Sequence, residues 1–320
     1  MANAQVTVGK PLVFNHIPKT AGTALIAALI EALKPVAPFH GYSRSALGAF
    51  ATYDKLSPAA RRGLVVTPAD IPEGADAVFG HIPPSPTRAR FESLNQLTVL
   101  REPRTRLVSH WLFSRAHTDS MLRGWSGWGD YVRRARLPLA AYLADADVAF
   151  ISDNLITRFL VWPDERAPMD GFIDPRFDDE LFEAAVASLK RFDFVAVTED
   201  GTFTEQLSAW LGRELRLLRV NESPPMPRGL QCDVAAECDA AASLIEERSR
   251  IDARLWDELA RRTYLAHRPG ETATERDRAF DDAVRRYETI PVAGRLAAPL
   301  SRARSVAAAA RHRGRRHVGA

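Results

Sequence analysis

The chain reads as an α/β domain with a central, mostly parallel sheet flanked by helices. Three observations predict it. Short runs that are apolar at nearly every position recur at residues 12–14, 77–79, 97–100 and 194–197. Stretches of helical periodicity separate them. Several of the runs end in a turn rich in Gly, Pro or charge. Continuous apolar runs suit strands buried on both faces, and strand–helix alternation joins such strands in parallel.

Taken in order, residues 12–23 read as a short apolar strand and a tight turn that leads into a helix over about 23–34, after which Pro35 and Pro38 stop regularity. Residues 39–42 enter a second short strand or loop. Residues 54–62 read as a short helix begun by Ser57-Pro58, and 64–67 as a strand. Residues 77–80 are a buried strand that opens at Gly80-His81 into a proline-rich loop. Residues 97–100 form the next strand. Arg101-Glu102-Pro103 turns it into a helix that begins near Arg104, with Leu107, Val108, Trp111 and Leu112 at helical spacing.

Residues 118–130, with Gly124, Gly127, Gly129, Trp125 and Trp128, read as a loop. The tryptophans are read as loop anchors rather than as a sugar-stacking surface. Helices are expected over 137–144, 150–161, 180–189 and 203–211, and strands over 194–198 and 215–220. Loops are expected over 172–177 and 223–230, and one or two helices over 239–267. Residues 293–320 read as a mobile Ala/Arg-rich tail or a loosely attached basic helix.

With 320 residues, 46 % hydrophobic and 26 % charged, the chain can bury one large core or two small ones. Its net charge of +3 belongs to the tail. Arg295, Arg302, Arg304, Arg311, Arg313, Arg315 and Arg316 lie there without an acid, and removing those seven charges leaves −4 on the body. A basic nucleic-acid-binding body is therefore not indicated. Cys232 and Cys238 have no partner pair at zinc spacing and read as two unrelated thiols of a reducing compartment. No apolar leader and no run of 18 apolar residues is present, so neither a secretory signal nor a membrane span is expected, and the location expected is cytoplasmic.

Chemistry concentrates in two strand–turn–helix units. In the first, Pro18-Lys19-Thr20-Ala21-Gly22-Thr23 precedes a helix whose first N–H groups lack partners. The helix dipole favours negative charge there, Gly22 permits close approach, and Lys19 adds a point charge. The Gly spacing of a Walker A loop is absent. In the second, Arg101 stands at a strand's carboxyl end, where open α/β sheets bind ligands, and Ser109 follows two helical turns on. Arg104 and Arg106 are expected to face solvent or pair with acids.

Together these two units resemble the cofactor signatures of sulfotransferases that use 3′-phosphoadenosine-5′-phosphosulfate (PAPS). The likeness is to the heparan and dermatan/chondroitin 2-O-sulfotransferases and their bacterial relatives. It rests on Pro18 to Thr23, and on Arg101-Glu102-Pro103 followed by Arg106-Leu107-Val108-Ser109. Residues 153–160 resemble that family's Asn-x-x-Thr-Arg helix, and 194–200 its Phe-Val-x-(Leu/Val)-Thr-Glu-Asp turn. The likeness spans 12–264 and has no counterpart in 268–320. Glu102 stands where Asp is more frequent.

The resemblance implies a single P-loop-like sulfotransferase domain over 1–267 and a C-terminal extension over 268–320. It implies PAPS as co-substrate without a metal. Pro18, Lys19, Thr20, Ala21, Gly22 and Thr23 would hold the 5′-phosphosulfate, and Arg101 and Ser109 the 3′-phosphate. Thr157 and Arg158 would lie near the adenosine, unless Arg158 forms a structural ion pair. His81 follows a strand end and resembles the family's Gly-His element, so it is the expected general base; His16, His40, His110 and His117 fit less well. Lys19 would offset charge on the leaving phosphate. The acceptor expected is a hydroxyl on a glycan or glycoconjugate. A membrane anchor carried by the family's eukaryotic members has no expected counterpart, which leaves a polysaccharide acceptor open. The alternatives are a P-loop-like small-molecule kinase, or a non-enzymatic anion- or nucleotide-binding module whose Arg-rich tail meets nucleic acid or a membrane surface.

Overall fold

A computed structural model describes residues 5–42, 66–123, 126–168, 171–217, 225–266 and 268–290. Its strands are β1 (Leu12–Asn15), β2 (Pro38–Tyr42), β3 (Ala77–His81), β4 (Asn95–Leu100) and β5 (Phe194–Val197). They form one all-parallel sheet in the order β2-β3-β1-β4-β5. This is the α/β domain with a parallel sheet that the apolar runs predicted. Pro38, which cannot donate to a ladder, sits on the edge strand β2, where that loss is tolerated.

Alternate residues of a strand face opposite sides. Leu12 and Phe14 point to one layer with Phe79, Leu97, Val99 and Phe194. Helix α1 (Gly22–Leu33) covers that layer with Leu25, Ala28 and Leu29, and Leu207 and Trp210 of the later helix Phe203–Leu211 complete it. The opposite layer is the larger core, in which Leu107, Trp111, Phe159 and Trp256 are buried. Helices α2 (Pro84–Arg90) and α3 (Pro103–Arg115) follow β3 and β4. Pro103 opens α3, where a missing N–H costs nothing, and the Glu102 carboxylate accepts from the N–H groups of Arg104 and Thr105.

Several segments depart from the sequence reading. Within 118–130 lie two helices, α4 (Asp119–Leu122), capped by the Thr118 hydroxyl, and α5 (Ser126–Arg134). The helix α6 (Leu139–Ala144) starts after Pro138. The single helix expected over 150–161 is broken into α7 (Ala149–Ser152) and α8 (Leu155–Val161) by Asn154, whose φ of 45 is left-handed. Part of the loop 172–177 is the 3₁₀ turn Pro175–Phe177. Helices α9 (Asp178–Leu189) and α10 (Phe203–Leu211) match their predictions. Residues 215–217 belong to no strand, and 218–220 lie outside the described residues. The helix expected over 54–62, Trp125 and the tail 293–320 also lie outside them, as do residues 64 and 65 of the expected strand and the side chain of Trp128.

Of the one or two helices expected over 239–267, α12 (Ala242–Arg262) fills most of the stretch, and α11 (Val234–Ala240) begins before it. Beyond them α13 (Thr272–Glu288) packs on α3, α11 and α12. Residues 272–288, read as part of an extension, are thus folded onto the body. No helix among the described residues is long and apolar enough to cross a membrane.

Candidate functional site

The sheet order creates a switch point. From β1 the chain turns toward β2 on one side, and from β4 it eventually returns as β5 on the other. Crevices at such points, outside the carboxyl ends of the strands, are where open α/β sheets take ligands. The two turns singled out in the sequence flank this switch point. Lys19 leaves β1, Arg101 leaves β4, and the Arg101 Nη1 donates to the Lys19 carbonyl at 3.3 Å. The two motifs, 82 residues apart in sequence, touch.

Left-handed backbone shapes the first turn, with φ of 74 at Lys19 and 60 at Ala21. Such values are uncommon for residues with a Cβ and gather at functional sites. No side chain caps α1, so its first amides are left to another acceptor. Gly22 is required by close packing, since a Cβ there would sit 2.0 Å from the His16 ring. Thr23 is exposed, whereas Thr20 is buried and its hydroxyl donates to the Ile17 carbonyl at 2.9 Å. Thr20 therefore closes the turn with its proton rather than holding it ready for a ligand.

The Lys19 ammonium lies 4.2 Å over the Phe113 ring, and among the described residues no carboxylate pairs with it. Burial, then Arg101 and Arg106, pull its pKa down to about 8. Residues three and four apart share a helix face. Arg106, Ser109, His110 and Phe113 thus present one face of α3, and Phe113 shows that this face meets the Lys19 turn.

Arg104 pairs with Glu102, Glu246 and Asp277 at 2.9, 2.8 and 2.9 Å, as an acid-paired arginine was expected to. Arg106 departs from that expectation. It is 1 % exposed, its Nε and Nη1 have no hydrogen-bond partner, and no carboxylate lies at ion-pair distance among the described residues. Burial presses its pKa down to about 10 against the distant pull of Asp252. The signal for this cation was its position three residues before Ser109 on the same helix face.

His81 ends β3 beside this cluster. Its Nδ1 lies 3.0 Å from the His16 carbonyl, and a carbonyl only accepts, so Nδ1 carries the proton and Nε2 the lone pair. Its ring stacks on that of His16 at 4.4 Å. Asn15 secures the following loop. Its Nδ2 donates to the Ile82 and Pro83 carbonyls, and Gln96 Nε2 donates to its Oδ1 at 2.6 Å. Gly80 is needed where β2 and β3 close together: its φ is 131, and a Cβ would lie 1.9 Å from the Gly41 oxygen. Burial, and then Lys19, outweigh the His16 carbonyl bond and push the His81 pKa down to about 4. Burial also holds His16 and His110 well below the usual imidazole range. Such a gathering of perturbed groups marks functional sites.

Two further histidines lie among the described residues. His40 is exposed on β2, tilted against Phe79. His117 is buried after α3 and donates from Nδ1 to the Phe113 carbonyl at 2.8 Å, so it does not sit in an open acceptor loop.

Thr157 and Arg158 are both fully buried and belong to a structural network instead of the crevice. Asp252 of α12 accepts from the amides of Ile156 and Thr157 and from the Thr157 hydroxyl, which caps α8. Arg158 pairs with Asp153 at 2.7 Å and donates to the Asp153 and Gly171 carbonyls. Of the two readings left open for Arg158, the ion pair is the one the fold adopts. Replacing it by Met should destabilise the protein by about 3–5 kcal/mol, because the buried Asp153 loses its closer cation and keeps only Arg250 at 3.6 Å. The urea midpoint measures this. Wild-type stability combined with lost nucleotide binding would return Arg158 to the site.

No protein-family model matches the chain, and no curated protein sequence matches it.

Proposed function

We propose that this chain is a PAPS-dependent sulfotransferase that transfers a sulfuryl group to an acceptor hydroxyl of the carbohydrate class. The observation that carries the reading is the convergence of Lys19 and Arg101 from two turns at one switch point of the sheet, with no acid neutralising Lys19 among the described residues. An unneutralised ammonium in a half-buried turn is costly, and an anionic ligand removes the cost. The uncapped amides of α1 serve the same charge. Lys19, Gly22 and the neighbouring amides would hold the 5′-phosphosulfate end, and Arg101 with Ser109 the 3′-phosphate. The acceptor class rests on the sequence resemblance alone.

When bound, PAPS supplies an activated sulfuryl group; the new O–S bond forms on the acceptor as the S–O bond to the 5′-phosphate breaks. Lys19 lowers the charge that grows on that phosphate. His81 Nε2 takes the proton that the acceptor hydroxyl loses. The two turns supply positioning, which accounts for much of the rate in such in-line displacements.

A Mg²⁺-dependent kinase would need a carboxylate directed at the crevice. The strand-end acids serve other ends. Glu102 caps α3, Glu199 accepts from the Glu102 amide and the Trp256 indole, and Asp200 accepts from Thr202 and Gln206. This favours the sulfuryl reading. Cys232 and Cys238 are both free thiols, in keeping with the cytoplasmic location we assign.

Calorimetry with adenosine 3′,5′-bisphosphate, AMP and ATP tests the proposal. The bisphosphate should bind most tightly, and Arg101→Ala should weaken it roughly 10–100-fold, in line with the loss of charge-assisted hydrogen bonds. Equal affinity for ATP would overturn the sulfotransferase reading in favour of the kinase.

A further inference from the structure

Helix α13 lies beyond every motif that pointed to the crevice, yet it reaches Arg101. Tyr287, 8 % exposed near its end, accepts from the Arg101 Nη2 at 3.0 Å. The same hydroxyl donates its proton to the Thr105 carbonyl at 3.2 Å, in the first turn of α3. Arg101 Nη1 is meanwhile tied to the Lys19 carbonyl at 3.3 Å. Each terminal nitrogen of the guanidinium is therefore held by an acceptor from a different segment, and three of its five N–H groups remain.

The helix is anchored to make this contact. Asp277 pairs with Arg104 at 2.9 Å, and Phe280 lies 5.0 Å from the same guanidinium. Arg276 pairs with Asp257 of α12 at 2.7 Å. These contacts fix α13 beside the start of α3, three residues from Arg101. A long arginine with free rotamers loses much of its freedom when it grips an anion. One already tied in two places loses less, and its planar fork is set before the ligand arrives.

We infer that Tyr287 is a positioning residue that orients Arg101 for the 3′-phosphate, which makes α13 a working part of the nucleotide site. The inference rests on the sulfotransferase reading and deepens it. Phe keeps the ring packing and removes only the hydroxyl, so Tyr287→Phe is the informative variant. Adenosine 3′,5′-bisphosphate should bind roughly 5–10-fold more weakly to Tyr287→Phe, while AMP binding changes less than about 2-fold. In an Arg101→Ala background the same substitution should have no further effect, since its influence passes through Arg101.

A purely structural tyrosine would weaken both ligands alike, or weaken the bisphosphate equally with and without Arg101. Either result overturns the inference, as does wild-type affinity in Tyr287→Phe. If the wild-type protein itself shows no preference for a 3′-phosphate, the failure lies with the sulfotransferase reading, and the comparison of variants does not arise.

Discussion

Lys19→Met is expected to lower sulfuryl transfer about 100–1000-fold, the range seen when one preorganised electrostatic donor is removed from a reacting centre. Met preserves the stem that lies against Phe113 and deletes the charge. The wild-type pH dependence should carry the same signature. Burial, with Arg101 and Arg106 nearby, brings the Lys19 pKa to about 8, so the ammonium is present at neutral pH and is lost as pH rises through that value. Adenosine 3′,5′-bisphosphate should bind progressively more weakly above pH 8 in the wild type and show no such break in Lys19→Met. Lys19→Arg should restore a charge that does not titrate, and with it part of the binding, but not full turnover, because a planar fork cannot replace a point charge in a turn. Lys19→Met should also melt higher than wild type, since it removes one of three crowded cations. Turnover within about 3-fold of wild type in Lys19→Met would remove the residue from the chemistry.

The sheet and the two turns that follow β1 and β4 were legible because each rests on local signals. Apolar runs mark β1, β3, β4 and β5, and Pro103 with Glu102 marks the start of α3. What was not legible depends on partners far away in sequence. Nothing near Thr157 announces that Asp252 will cap α8, and nothing near Arg101 announces Tyr287, 186 residues on. The glycines around 124–129 outweighed the helical spacing that α5 uses, and Asn154 broke a continuous apolar pattern by adopting a left-handed turn. Helix α13, rich in Arg and Asp, carries Phe280, Ala283, Val284 and Tyr287 at helical spacing, but the core they join and the Arg104 that pairs with Asp277 are contributed by segments far away in sequence. Arg106 was misjudged for the same reason. Arginines are rarely buried without an acid, and only the folded α3 reveals a buried guanidinium with two nitrogens left without a hydrogen-bond partner.

His81→Ala is expected to cut turnover at least ~100-fold while adenosine 3′,5′-bisphosphate affinity stays within about 3-fold, as fits a group that handles the acceptor's proton and not the nucleotide. The free protein holds His81 near 4, a weak base, chiefly because burial disfavours its charged form and Lys19 adds to that. An anion on Lys19 cancels part of that repulsion, so the bound state should raise the His81 pKa toward the working pH. Histidine NMR titration with and without adenosine 3′,5′-bisphosphate measures the shift, and the acid limb of kcat should follow the bound value. The same depression links to stability with a definite sign. The unfolded imidazole takes a proton near 6.5 and the folded one only near 4, so the unfolded state binds more protons in that window and stability falls as pH drops from 6.5 toward 4. His16 and His110, also held low by burial, act in the same direction. His81→Ala should flatten part of this acid loss. A His81 resonance that does not move when the nucleotide binds, together with near-normal turnover in His81→Ala, would assign the proton to another group.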